Sequence, residues 1–240
     1  MPKAKKKWFI IKAGSAQVYS HPDFNSSCIT EAIYGESCRI LRHKDNWFKI
    51  ECEDGYIGWV NSFFGIRSLE RNKPKYLVVY PNDGGCFISK YPFGSQMENY
   101  IPGSMLINKK LGSDKVIDVA THLVGIPYKW GGKSSLGFDC SGLLQSILTM
   151  AKIKNFPRDT SQQIISNALS EKNNKPKLGD VIFFKSQNIV DHVGLYVNEE
   201  EFIHCSGFVK INSIIKKNQY YSNKLKSTFF KVYKINVDVS

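Results

Sequence analysis

Tyr128-Lys129-Trp130-Gly131-Gly132-Lys133-Ser134-Ser135-Leu136-Gly137-Phe138-Asp139-Cys140-Ser141 is the stretch around which the rest of the chain is organised. The Gly-Gly pair and Gly137 permit tight backbone turns. Beyond it, Leu143, Leu144, Ile147, Leu148 and Ala151 recur at helical spacing. A helix is therefore predicted to start at Cys140 with Asp139 as its cap. A thiol at that position meets unpaired N–H groups and the positive end of the helix dipole, which favour the thiolate. The same N–H groups can hold a tetrahedral oxyanion. A buried core thiol and an ordinary helix cap are the plainer readings of Cys140 and Asp139.

Composition sets the frame for that nucleophile. The chain has 240 residues, 42% of them hydrophobic and 22% charged, enough for a sizeable core in one large or two small domains. Its 33 Lys and Arg outnumber 21 Asp and Glu, a formal net charge of +12, which attracts anions such as acidic cell-wall fragments. The lysines are spread among Asn and Ser without an aromatic-basic stripe, an argument against nucleic-acid binding. Cys28, Cys38, Cys52, Cys86, Cys140 and Cys205 contain no Cys-x-x-Cys pair, so no zinc knuckle is expected, and neither metal nor cofactor is implied. All but Cys140 read as reduced, buried thiols. The apolar run Trp8–Ile11 is broken by Lys12 and falls short of the roughly 7–15 residues of a secretory signal core. With no run near the roughly 18 apolar residues of a membrane span, a cytoplasmic protein with no membrane partner is expected.

Towards the N-terminus, Trp8–Ile11, Ala16–Tyr19, Ser37–Leu41, Trp47–Ile50 and Tyr56–Val60 read as strands, with turns at Asp45-Asn46 and Asp54-Gly55. They predict a small all-β barrel over residues 1–66. Residues 67–110 open with the charged, proline-interrupted Arg67–Lys75 and continue with strand-like Tyr76–Tyr80 and Cys86–Ser89 around Pro81–Gly85. This region is either a linker or a degenerate second barrel. Residues 111–240 begin with a helix capped by Ser113, in which His122 reads as structural. The Cys140 helix follows, then a third helix after Phe156–Gln163, and strands at Val181–Phe184, His192–Val197, Glu201–Cys205 and Thr228–Ile235. Helices first and an antiparallel sheet afterwards is an α+β order.

A nucleophilic cysteine needs a base, and two histidines lie in the predicted sheet. If His192–Val197 and Glu201–Cys205 form a hairpin with Val197 opposite Glu201, His192 and His204 share one face, because side chains alternate. An even-length loop without a bulge would separate them. In the shared-face register His192 can take the Cys140 proton and His204 can orient it. A half-buried structural histidine is the plainer reading of either alone.

Motifs across the chain carry a resemblance. Tyr34-Gly35-Glu36, Asn46-Trp47-Phe48-Lys49-Ile50 and Asp54-Gly55-Tyr56-Ile57-Gly58-Trp59-Val60 resemble a bacterial SH3 domain. Tyr128-x-Trp130-Gly131-Gly132, Phe138-Asp139-Cys140-Ser141-Gly142, Pro157-Arg158-Asp159, Leu178-Gly179-Asp180-Val181, His192-Val193-Gly194 and Phe202-Ile203-His204 resemble the NlpC/P60 family of papain-like cysteine peptidases. The resemblance implies a papain-like catalytic domain behind the SH3-like barrel, with Cys140 as nucleophile, His192 as base and His204 as third polar member. It implies that Tyr128 helps shape the site and its oxyanion contacts, and that Trp130, Ser141, Asp159 and Thr160 line the groove. The subgroup with an SH3 domain in front cleaves peptidoglycan peptides between γ-D-Glu and the diamino acid. By that likeness Asp139 and Tyr56, and less directly Glu31, hold the free amine of an N-terminal L-Ala. The expected partner is thus a muropeptide, L-Ala-γ-D-Glu-diamino acid, taken up in recycling, with lysine and diaminopimelate both open. A papain-like amidase or acyltransferase and a non-catalytic cell-wall-binding protein are the alternatives. Cys205 departs from the family pattern, in which a small Ala or Ser is more usual after the histidine.

Overall fold

The structure, a computed structural model, describes residues 7–80, 90–109, 111–153 and 155–236. The strand expected at Cys86–Ser89 and the turn before it lie outside these residues, as does Cys86. The chain divides into two compact units, one of Met1–Lys109 with Trp130–Leu136, the other of Lys110–Lys129 with Gly137–Ser240.

The first unit carries β1 (Trp8–Ile11), β2 (Ser15–Tyr19), β3 (Cys28–Ile33), β4 (Ser37–Lys44), β5 (Trp47–Glu51), β6 (Ile57–Asn61) and β7 (Gly65–Ser68). They form one sheet in the order β3-β2-β6-β5-β4-β1-β7. Period-two alternation sends Phe9 and Ile11, Ala16 and Val18, and Phe48 and Ile50 into one apolar cluster that Tyr56 covers from its edge. Asp45 takes a positive φ of 50° at the β4–β5 turn, where an Asx residue tolerates the left-handed region. The strands β3 and β7 were not expected: Thr30 and Glu31 interrupt the first and Arg67 the second, so neither reads as an apolar run. Further on, β8 (Tyr76–Val78) lies between β9 (Gln96–Met97) and β10 (Ser104–Leu106) in a small separate sheet.

Trp130–Leu136 contributes an internal cation to this unit. Lys133 is buried, with Nζ 3.0 Å from Asp54 Oδ2 and 3.7 Å from Glu36 Oε2. Its backbone N–H donates to Glu31 Oε1 at 2.8 Å. Burial opposes the ammonium, but the Asp54 and Glu36 carboxylates outweigh it and hold the lysine above its ordinary pKa. Glu36 also accepts from the backbone of Ile33 and Glu53, yet burial pushes its carboxyl up to about 7. Gly131 has φ of +76°, and a Cβ there would stand 3.1 Å from Cys28 Sγ, so this turn needs glycine.

The second unit begins with α1 (Ser113–Thr121), whose N-cap is Gly112. Ser113 is thus the first helical residue and not the expected cap. His122 is its exposed C-cap, its ring held 2.7 Å from the Asp118 carbonyl. Then come α2 (Cys140–Met150), started by Asp139 as its residue type predicts, and the short α3 (Thr160–Gln163). Six strands follow: β11 (Leu169–Lys172), β12 (Val181–Ser186), β13 (Ile189–Tyr196), β14 (Glu201–Ser206), β15 (Phe208–Ser213) and β16 (Phe229–Ile235). They form an antiparallel sheet ordered β11-β16-β12-β13-β14-β15, with α4 (Asn223–Thr228) ahead of the last strand. Helix α2 packs on β13 and β14. The register of these two strands is the one the sequence required, with Gly194 opposite His204 and Tyr196 opposite Phe202. Among the described residues no helix is long and apolar enough to cross a membrane.

Candidate active site

The approach to Cys140 is fixed by backbone pairing. Tyr128 N–H donates to the Gly207 carbonyl at 2.8 Å and Lys129 N–H to the Phe138 carbonyl at 2.9 Å. At Gly137, φ is +139° and a Cβ would meet Lys129 Cβ at 2.5 Å, so only glycine brings the chain this close to itself before the helix. Asp139 Oδ1 then accepts from Gly142 N–H at 2.7 Å, closing the first turn of α2. Its carboxylate is buried and gripped by Arg158 through Nη1 at 2.9 Å and Nη2 at 2.6 Å, a bidentate pair. Ser141 completes the cluster, its Oγ donating to Asp139 and accepting from Arg158 Nη1 at 2.9 Å.

Cys140 Sγ lies 3.9 Å from the Asp191 carbonyl. The Ser141 and Val193 N–H groups and the Thr160 hydroxyl favour its anion, but burial and then the Asp139 carboxylate push the thiol up to about 11. The lowered thiol expected from the helix start is therefore overridden by desolvation. Contacts with Asp191 and Val193 put the sulfur against β13 on either side of His192.

His192 and His204 stand on one face of the sheet, together with Phe184, Tyr196 and Phe202. His192 Nε2 lies 2.8 Å from His204 Nδ1, and His204 Nε2 lies 2.9 Å from Asn212 Oδ1. Asn212 is oriented by its own Nδ2, which donates to the Tyr220 carbonyl at 2.9 Å. These bonds assign the tautomers. Asn212 presents an acceptor, so His204 carries its proton on Nε2 and accepts at Nδ1. His192 then donates from Nε2, leaving the lone pair on Nδ1. The Phe184 ring, 5.6 Å from His192, and the Phe202 ring, 5.5 Å from His204, help to exclude water. Burial, then His204, Lys210 and Lys224, lower His192 to about 3, and burial lowers His204 to about 4 although its bond to Asn212 works the other way. Both rings are neutral at pH 7, the state in which an imidazole can act as a base.

Tyr128, pushed up to about 12 by burial and by Asp139, Cys140 and Cys205, keeps its hydroxyl proton and remains a donor beside the thiol. The cluster thus offers a nucleophile, a proton acceptor oriented through two further residues, and a phenolic donor. Asp159 stands immediately ahead of Thr160 as the N-cap of α3. Cys205 is buried and its thiol donates to the Phe138 carbonyl at 3.0 Å. Of the remaining site residues, Tyr56, Glu31 and Trp130 belong to the first unit. Tyr56 is half-buried, Trp130 is 71% exposed, and Glu31 is fully buried, accepting from Ser15 Oγ and Lys133 N–H. The sequence left Arg158 and Asn212 without roles. Arg158 stood inside a motif without showing what it would pair with, and Asn212 lies on β15, a strand the apolar pattern did not reveal.

Residues 125–230 match the NlpC/P60 family and residues 18–62 match the bacterial dipeptidyl-peptidase SH3 domain. A γ-D-glutamyl-L-lysine dipeptidyl-peptidase of Bacillus cereus is 35% identical over 79% of this chain and 70% of its own length. The chain belongs to the NlpC/P60 family. This is the family its motifs resembled, and the cysteine-peptidase class is the one expected. A second relative, the γ-D-glutamyl-L-lysine dipeptidyl-peptidase of Bacillus subtilis, is 24% identical over 73% of this chain and 71% of its own. In fold, the crystal structure of an NlpC/P60 protein from Bacillus cereus superposes with a TM-score of 0.77 at 18% identity, covering 94% of this chain and 98% of the other. An NlpC/P60 catalytic fold behind an SH3-like all-β region is thereby established.

Proposed function

We propose that this NlpC/P60 protein is a cysteine endopeptidase that hydrolyses the γ-D-glutamyl–diamino acid bond of peptidoglycan-derived peptides with a free N-terminal L-Ala. The observation that carries the mechanism is the chain from Asn212 through His204 to His192, which leaves His192 Nδ1 open on the strand touching Cys140. Because thiol and imidazole both start neutral, the proton moves from Sγ to His192 as the C–S bond forms. The imidazolium so created is stabilised by donating from Nε2 to His204. Tyr128 O–H and the N–H of Cys140, which helix geometry leaves without an acceptor, hold the oxyanion. Collapse expels the diamino acid's amine with the proton from His192. Water, deprotonated by the same ring, then releases L-Ala-γ-D-Glu from the thioester.

Specificity for the free amine rests on Asp139, the acid that an ammonium requires. Asp139 would share its carboxylate between this amine and Arg158, so the pair orients the acid as well as neutralising it. Ser141, Asp159 and Thr160 complete the peptide groove. The names of the two Bacillus relatives support this choice of bond. A site that demands a free L-Ala takes released peptides, not stems still joined to glycan, which suits recycling in the cytoplasm.

Incubation with L-Ala-γ-D-Glu-diaminopimelate and its N-acetylated form tests the reading. The free peptide is expected to turn over about a hundredfold faster, the scale of losing a charge-assisted contact. Equal rates would overturn the amine requirement, and cleavage of neither would overturn the peptidase in favour of a wall-binding role.

A further inference from the structure

Cys38 and Cys52 face each other inside the barrel of the first unit, and both are free thiols. Arg39 pairs with Glu51 and Ile40 with Ile50 across β4 and β5, so Cys38 stands opposite Cys52 one step further along the ladder. Cys52 commits neither backbone group to that partner: its N–H donates to the Tyr56 carbonyl at 2.9 Å and its carbonyl accepts from Gly55 N–H at 3.0 Å. This is therefore a non-hydrogen-bonded site, where facing Cα atoms approach to about 4.5 Å, within the roughly 4.4–6.8 Å that a disulfide spans. The two sulfurs and a Glu36 carboxylate oxygen lie within 4.8 Å of one another. Cys38 donates its S–H to Cys52, which together with burial pushes the Cys38 thiol well up, while the same bond favours the Cys52 anion against burial. Lys133, whose ammonium is 3.7 Å from Glu36, favours the anion at both sulfurs. Two thiols and a carboxylate would suit a soft cation, but that ammonium already neutralises Glu36 and repels a second positive charge.

We propose that Cys38 and Cys52 are a reversible dithiol–disulfide pair, closed by low-molecular-weight disulfides, that staples the barrel independently of the peptidase chemistry. Cys52 is the attacking sulfur: it accepts the Cys38 hydrogen bond, it is 4% exposed where Cys38 is fully buried, and it ends β5 where the chain turns through Asp54-Gly55. Its thiolate attacks one sulfur of a disulfide RS–SR, forming a Cys52–SR bond and releasing RS⁻. Cys38 then loses its proton to that thiolate, attacks Cys52 Sγ and expels the second RS⁻. Both thiol hydrogens leave on two RSH molecules, and the two electrons given up by the protein sulfurs reduce RS–SR. Burial keeps the thiols protonated at neutral pH, so closure is slow and follows the redox poise of the surrounding thiol pool rather than brief exposure to oxidant. A reducing pool leaves the pair open and an oxidising compartment closes it. The bond would tie the start of β4 to the end of β5, beside the Glu36, Asp54 and Lys133 cluster.

The experiment uses the full chain carrying Cys140→Ala, so that the nucleophile does not compete for oxidant. The protein is equilibrated in glutathione buffers from fully reduced to fully oxidised, quenched with acid, alkylated after denaturation and mapped by mass spectrometry. A peptide pair linked through Cys38 and Cys52 is expected at the oxidised end, lost again on adding dithiothreitol, and formed faster at pH 9 than at pH 7. Trp8, Trp47, Trp59 and Trp130 all belong to the first unit, so tryptophan fluorescence follows the barrel's unfolding. Closing a loop of about 14 residues should raise its thermal midpoint by roughly 5–10 °C. Cys52→Ser should abolish both the linked peptide and the oxidant-dependent shift. The peptide map of the chain with both cysteines present stands even if that variant folds poorly. Cys38 and Cys52 both alkylated at the oxidised end, or a mixed disulfide that stalls on Cys52, would overturn the pair. A linked pair with an unchanged midpoint would overturn the staple.

Discussion

Two buried polar clusters in this protein are built from opposite electrostatic choices. In the first unit, Lys133 lies among Glu31, Glu36 and Asp54, where its ammonium is kept charged by carboxylates at 3.0 and 3.7 Å. In the second, Cys140, His192 and His204 are also desolvated, but burial holds each of them in its neutral form. A paired charge is a structural fixture, because moving its proton forfeits the pairing that justified burying it. Neutral groups joined by hydrogen bonds can exchange a proton without first breaking an ion pair. The difference separates what holds the chain together from what does chemistry.

That contrast can be broken from either side. The largest effect is expected from Cys140→Ala, which should lower hydrolysis by about 10⁴-fold or more, the scale seen when a nucleophile is removed, with little change in thermal unfolding. Turnover that survives would take Cys140 out of the reaction. Lys133→Met should do the reverse, costing about 3–5 kcal/mol in urea unfolding by stranding buried carboxylates. A smaller cost would show the cluster to be solvated.

Next comes Asn212→Ala, which frees His204 to adopt the other tautomer. We expect kcat to fall about 10–100-fold, with KM nearly constant and Asn212→Gln recovering part of the loss. A change in KM alone would contradict the tautomer chain. Stability against pH gives a fourth check. His204 is lowered in the folded state, so its contribution is fully present above the unfolded pKa near 6.5 and is lost as pH falls towards about 4, where the folded ring also protonates. By pH 5 the loss is about 2 kcal/mol, and His204→Gln should flatten this part of the unfolding profile. The smallest effect is kinetic: Cys140 alkylation by iodoacetamide should be slow at pH 7 and climb steadily through pH 9, because burial raises the thiol. A plateau already reached near pH 5 would indicate a preformed ion pair.

Where the chemistry depends on local sequence, the residues announced it. Asp139 and Cys140 stood at a helix start defined by the spacing of Leu143, Leu144 and Ile147, and the cap forms as their types demand. The facing of His192 and His204 followed from strand parity and a short turn. What the sequence could not show is long-range. Arg158 reaches Asp139 across 19 positions, and Asn212 acts from a strand whose polar residues hid its period. Cys140 illustrates a second limit: helix position predicts a lowered thiol, but its burial, a tertiary property, reverses the sign. Lys133 is a third case, since nothing local in Gly-Gly-Lys-Ser indicates an internal charge paired with Asp54, 79 positions away.

The most direct test of the central claim is mass spectrometry of the products released from L-Ala-γ-D-Glu-diaminopimelate by the wild-type protein and by Cys140→Ala. The wild type is expected to release L-Ala-D-Glu and free diaminopimelate, and the variant to leave the peptide intact. Cleavage at the L-Ala–D-Glu bond, or the same products from both proteins, would contradict it.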